Sequence, residues 1–242
     1  ETLQFGGQVI KNVAGYDVSR LMAGAWGTLG LLTEVSLKVL PVAPAEATLR
    51  FDCNQADALR QLHAWGGQPL PLNASCWVED AGVGQLYVRL RGAVAAVDAA
   101  CKSMGGTRLD NATAAPDWQA CREQTLPWFA ARLARPGQAL WRLSLPATAP
   151  VLALPGGVSP LVEWHGALRW VQAPLAHGDV LREAARAVGG SASLFIADGA
   201  VGERAGGQFD LKSAALEQIH ARLKHSFDPA GIFNPGRMAP QW

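Results

Sequence analysis

Val35, Leu37 and Val39 alternate with Glu34, Ser36 and Lys38, a period of two that predicts a strand with one buried face. Pro41 ends that run. Pro41-Val42-Ala43-Pro44-Ala45 reads as a linker, because closely spaced prolines deny both helix and central strand. Beyond it the pattern predicts a strand at about 46–52. A helix follows, capped by Asn54, carrying Ala58, Leu59 and Leu62 inward and stopped by Gly66-Gly67. Strands at Ser75 to Glu79 and Gln85 to Arg91 and a helix at about 93–104 complete a β-α-β-β-α unit. After an irregular section rich in Ala, Trp and Pro, a second set is expected: strands at 138–145 and 160–172, a helix at 179–188 capped by Asp179, and a strand at 192–197. Trp141, Leu143 and Leu145 alternate with Arg142 and Ser144, so this set reads as antiparallel sheet with one covered and one wetter face. The fold class is α+β, with helices on one face. The last helix, about 211–226, places Leu216, Ile219, Leu223 and Phe227 on one stripe, and Asp228-Pro229 breaks it.

Composition narrows the function classes. The 242 residues are 49% apolar, enough for a sizeable core. A net charge of +1, with both signs dispersed, gives no clustered basic face, so nucleic acid is not an expected partner. No run approaches the length of a transmembrane helix. Cys53, Cys76, Cys101 and Cys121 are far apart and suggest reduced, buried thiols and a cytoplasmic setting, and no metal site can be written from them. Nine tryptophans read mainly as core, with some left for contact with partners.

Glycines punctuate the opening: Gly24, Gly27 and Gly30 permit a turn into the strand, or a close backbone approach to a ligand. Asp17 is placed to cap a short helix over Val18 to Met22. His165 and Arg169 would share one side of a continuous strand at 160–172, which makes them the best local candidates for a polar substrate or electron-transfer face; a solvated strand face is the alternative. His177 precedes a helix start without a second histidine at ligand spacing.

Three motifs in order carry a resemblance that spans the chain. Lys11-Asn12-Val13-Ala14-Gly15-Tyr16-Asp17, Gly27-Thr28-Leu29-Gly30-Leu31-Leu32-Thr33-Glu34 and Phe227-Asp228-Pro229-Ala230-Gly231-Ile232-Phe233-Asn234-Pro235-Gly236 resemble the FAD-linked oxidases of the vanillyl-alcohol oxidase type. Within that group they are most similar to the FAD-binding E subunits of bacterial glycolate oxidase. The resemblance implies residues 1–42 as the end of the FAD-binding (PCMH-type) domain, 46–226 as an α+β cap, and 227–242 as a tail returning toward the flavin. It implies FAD contacts from Lys11, Asn12, Trp26, Gly27, Thr28, Leu29, Gly30, Leu31, Leu32 and Asn234. Asn234-Pro235-Gly236 is equally an ordinary turn signature. Trp26 stands where many relatives carry an acid, so no side-chain role transfers there.

Oxidation of a 2-hydroxy acid is the implied reaction, with a flavin-bearing D subunit and an iron-sulfur F subunit as partners and any membrane association peripheral, at the inner face, through that complex. A self-sufficient FAD-dependent 2-hydroxy-acid dehydrogenase and a partner-binding subunit with a vestigial flavin site are the alternatives. The His-Gly-Asp-Gly-Asn-x-His metal run of several relatives is not found. Neither is the Gly-rich pyrophosphate loop, so the chain is expected to be an N-terminally truncated piece that alone is inactive and binds FAD weakly or not at all.

Overall fold

A computed structural model describes residues 2–6, 17–80, 82–197, 209–210 and 213–239. The chain divides into two compact units: one joins Glu1–Lys38 to Gly206–Trp242, and the other is Val39–Ala205. The last helix, expected with the cap, therefore groups with the opening segment.

In the second unit, β1 (Ala45–Asp52), α2 (Gln55–Gly66), β2 (Leu72–Asp80), β3 (Val83–Gly92), α3 (Val94–Met104), β4 (Thr107–Leu109) and α4 (Asn111–Glu123) form the first half; α1 (Val18–Met22) precedes them in the other unit. The second half contains α5 (Pro127–Ala130), β5 (Gln138–Ser144), β6 (Leu161–Glu163), β7 (Leu168–Pro174), α6 (Gly178–Ala187) and β8 (Ser191–Ile196). The strands make one antiparallel sheet in the order β4-β1-β3-β2-β6-β7-β5-β8. The halves meet at β2 and β6, where Cys76 faces Glu163 and Trp77 faces Val162.

The sheet is covered on both faces, which corrects the expectation of helices on one side. Leu49, Trp77, Leu86, Val88 and Val162 pack under α2 and α3, while Trp141, Leu143 and Val171 pack under α6. Their sequence neighbours point the other way, where Cys76, Leu140, Leu161 and Trp170 pack with Trp118 of α4 and Phe129 of α5. Two buried faces need two sets of helices. Trp118 and Thr48 show the seal on this second face: the indole N–H donates to the hydroxyl at 2.9 Å.

Local chemistry accounts for the elements. Asn54 accepts from the Asp57 amide at 2.9 Å and starts α2, as its sequence predicts. Gly105, with φ +70°, ends α3. Part of the section rich in Ala, Trp and Pro, read as irregular, forms the helix α4 with Pro116 inside it. Asp110 caps it through the Thr113 amide at 3.0 Å, and burial of Ala114, Trp118 and Cys121 outweighs the missing bond. Gly84 sits where β3 passes the loop after β1, and a Cβ there would lie 2.3 Å from the Cys53 carbonyl oxygen. Gly84→Ala is expected to destabilise this half by about 1–3 kcal/mol in urea unfolding, the usual cost of overpacking; an unchanged midpoint would show that the loop yields freely.

Two strand expectations fail. Residues 31–40 are exposed and outside any sheet, because no strand lies beside them among the described residues to pair their backbone groups. The run at 160–172 is a hairpin, β6 to β7, with Leu161 facing Trp170 and Val162 facing Arg169. Its turn carries Trp164 at φ +50°, His165 at φ +53° and Gly166 at φ +96°.

Candidate functional site

The opening segment and the C-terminal tail build one constellation within the first unit. Asp17 caps α1 by accepting from the Arg20 amide at 3.0 Å, in line with the sequence. After α1 the chain turns tightly: Thr28 donates its amide to Ala25 O at 3.0 Å and its hydroxyl to the same oxygen at 2.7 Å. The central residues of that turn, Trp26 at φ +53° and Gly27 at φ +69°, are both left-handed, which a tryptophan adopts only when its surroundings hold it there.

The tail supplies the hold. Ser213 caps α7 (Ala214–Phe227), and the buried residue on that helix is Lys224, while Leu216 and Ile219 of the expected apolar stripe are exposed. Lys224 Nζ donates to Thr28 O at 2.8 Å, Phe233 O at 2.7 Å and Asp228 Oδ2 at 2.5 Å. Asp228 also accepts the amides of Ile232 at 3.0 Å and Phe233 at 2.8 Å. Burial alone would raise the Asp228 carboxyl, but the Lys224 hydrogen bond, the two amides and the ammonium charge outweigh it and hold it at about 2. Asn234 Nδ2 then donates to Trp26 O at 3.1 Å and Gly27 O at 3.2 Å.

A turn closed by the Arg237 amide on Asn234 O, 3.2 Å, brings Arg237 over the Trp26 ring, 5.1 Å from guanidinium carbon to centroid. Phe209 meets the same indole edge-on at 5.5 Å. So residues some 200 positions apart in sequence share one site. Trp26, Gly27, Thr28 and Asn234 are brought together here. Leu29 is buried beside them, Gly30 follows half-buried, and Leu31 and Leu32 lead away as exposed chain. Lys11 and Asn12 lie outside the described residues. Lys224, Asp228 and Arg237 were missed in sequence; the available signal was a Lys followed four residues later by Asp at a helix end, the spacing that pairs opposite charges.

Part of this segment leaves its backbone open to approach. A Cβ at Gly24 or Gly30 would meet nothing within 4 Å, so the backbone is open there, whereas one at Gly27 would meet Asn234 Nδ2 at 2.7 Å. Gly24 and Gly30 are therefore approachable, and Gly27 is a packing contact. The amides of Gly27, Leu29 and Gly30 form no hydrogen bond among the described residues, leaving donors for an anion.

The second unit offers less chemistry. Arg169 lies in β7 and is buried, not on a solvated face, and donates to Pro150 O and Ala149 O at 2.6 Å each. Burial pulls its guanidinium down to about 10. His165 sits at the hairpin tip, its amide donating to Ser75 Oγ at 2.9 Å. The reversal of the chain between them removes the shared strand face on which they were paired. His177 lies in the short turn before α6. A cleft of about 700 Å³ at the start of α2 is lined by Asp52, Cys53, Asn54, Trp77, Glu79 and Ser159. Burial and the carboxylates of Asp57 and Asp52 push the Cys53 thiol up, so it stays protonated and is a poor nucleophile. Among the described residues no cluster of His, Cys, Asp and Glu suits a metal ion, and no helix is long and apolar enough to cross a membrane.

No protein-family model matches the chain. Over 236 residues, 98% of its length, it is 43% identical to glycolate oxidase subunit GlcE of Escherichia coli. The chain resembles a glycolate oxidase subunit. It spans 61% of the length of that GlcE relative. A shorter match, 39% identity over 61 residues, is to glycolate oxidase subunit GlcD of Bacillus subtilis, covering 25% of this chain and 13% of the relative. Another, 41% over 49 residues, is to D-lactate dehydrogenase of Anaerostipes hadrus, covering 20% and 10%. The GlcE similarity therefore takes in both the Trp26 turn and the tail that holds it.

Proposed function

We propose that this chain is part of an FAD-binding subunit of a glycolate oxidase complex, which oxidises glycolate to glyoxylate and passes electrons through flavin to an iron-sulfur partner. The observation that carries the reading is the 43% identity to GlcE along nearly the whole chain. Bound flavin would supply the two-electron acceptor for hydride from the carbinol carbon of a 2-hydroxy acid. This chain's part is to hold it: Gly24 and Gly30 leave backbone open, the amides of Gly27, Leu29 and Gly30 offer donors, and Lys224 and Asn234 fix the turn that presents them. A D-type subunit is the proposed partner, consistent with the shorter GlcD match; for the complex we propose the cytoplasm or the inner face of the membrane. The local similarity to a D-lactate dehydrogenase favours a second reading, a dehydrogenase that needs no partner.

The test is a visible spectrum of the protein expressed from its complete gene, alone and with its D-type partner. A flavin spectrum is expected, and its absence would sink both enzyme readings in favour of a partner-binding subunit. Glycolate should bleach the complex; bleaching of the isolated subunit would replace the first reading by the second.

A further inference from the structure

We infer that Trp164, with Arg142 stacked on it, is the anchor by which the chain docks on its D-type partner, whose surface meets it with an apolar pocket edged by a carboxylate. The inference rests on the partner reading above and adds to it a contact surface and its chemistry. Trp164 is 64% exposed, the most open of the described tryptophans, so core packing does not account for it. It heads the turn between β6 and β7, where Trp164 at φ +50° and His165 at φ +53° are left-handed in succession. Hairpins favour asparagine and glycine at such a pair of positions, and bulky side chains there cost stability.

The turn is held in this form. The His165 amide donates to Ser75 Oγ at 2.9 Å, the Ala167 amide to Trp164 O at 3.1 Å, and the Leu145 amide to Ala167 O at 2.8 Å. Gly166 packs so closely beneath it that a Cβ there would lie 2.9 Å from Leu59 Cδ2. The sheet therefore presents a water-facing indole at a cost to the fold, as a binding anchor requires and a core residue does not. Arg142 of β5 reaches the ring, 5.7 Å from guanidinium carbon to centroid, and no ion pair to Arg142 is found among the described residues. Stacking uses the face of a guanidinium and leaves its in-plane N–H fork for a carboxylate. Tryptophan and arginine are the side chains that most often dominate protein interfaces, and the complement of this pair is an apolar pocket with an acid at its edge. Another part of the complete protein and a second copy of it are the rival occupants, and the test separates them.

The protein expressed from its complete gene is titrated with the D-type subunit, as wild type, Trp164→Gly, Trp164→Phe and Arg142→Gln. Trp164→Gly should weaken the complex about thirtyfold, the scale of an interface hot spot. Its urea midpoint should stay or rise, because glycine relieves the turn. Trp164→Phe should lose less, and Arg142→Gln should weaken binding and flatten its fall with salt. Hydroxyl-radical labelling is the second readout, and Trp164 should be protected when the D-type subunit is added. Protection already present in the dilute complete protein would overturn the assignment in favour of its own chain, and protection that appears with concentration alone would overturn it in favour of a second copy. Wild-type affinity in Trp164→Gly would also overturn it, as would a loss of binding matched by a fall in the urea midpoint, the mark of packing. Wild-type proteins that do not associate would instead remove the partner reading, and this inference with it.

Discussion

Lys224→Met will free the tail from the opening turn. The substitution keeps the length of the side chain but removes three donated hydrogen bonds, to Thr28 O, Phe233 O and Asp228, from a site where the lysine is 4% exposed. Losing charge-assisted bonds and leaving a carboxylate without its cation costs about 3 kcal/mol or more. The loss falls on the first unit, so hydrogen exchange should speed up at the Ile232 and Phe233 amides, and flavin affinity should fall with it. Acid should mimic the mutation in the wild type. The Asp228 carboxyl is lowered from an ordinary 3.8 to about 2, so its stabilisation is complete above about pH 4 and is lost as pH falls through about 2. Asp228→Asn should abolish that pH dependence. Unchanged exchange at 228–237 in Lys224→Met would mean that the tail is held by something else.

Trp141→Ala should produce a loss of similar or greater size in the other unit. Trp141 is 1% exposed in the middle of β5, and its indole N–H donates to Ala173 O at 3.2 Å. The α6 helix approaches it so closely that a Cβ on Gly178 would lie 2.6 Å from the ring, and Arg182 stacks on it at 5.4 Å. Truncation leaves a cavity that these elements cannot close, at about 3–5 kcal/mol. Trp141→Phe should cost much less. Equilibrium urea unfolding decides the matter; a change under about 1 kcal/mol for the alanine variant would show that α6 collapses onto the gap.

Much of the sheet could be read from alternation and from glycine and asparagine punctuation, because each of those signals is local. In the first half, β1 to α3 follow the sequence closely, whereas β4 and α4 fall in the section read as irregular. What failed was non-local. Alternation at Val35, Leu37 and Val39 predicts which side chains would share a face but cannot supply a neighbouring strand. The apolar run through Glu163 and Arg169 carries no proline or asparagine-glycine pair, so its reversal at Trp164 to Gly166 is hidden from pattern. In α4, Pro116 spoke against helix, and burial of Trp118 and Cys121 prevailed. At the candidate site, the Gly-Thr-Leu-Gly and Asn-Pro-Gly motifs meet through Asn234, yet the residue that joins them most firmly is a lysine, a type expected at the surface.

The bond from Lys224 to Thr28 spans 196 positions. During synthesis the Trp26 turn is made well before its anchor, whereas the sheet's own partners are at hand as soon as each half is made. The sheet, whose described strands all lie between the two in sequence, can therefore mature while the Trp26 turn still waits for Lys224. A chain made only as far as residue 223 would hold every described strand of the sheet and an untethered Trp26 turn.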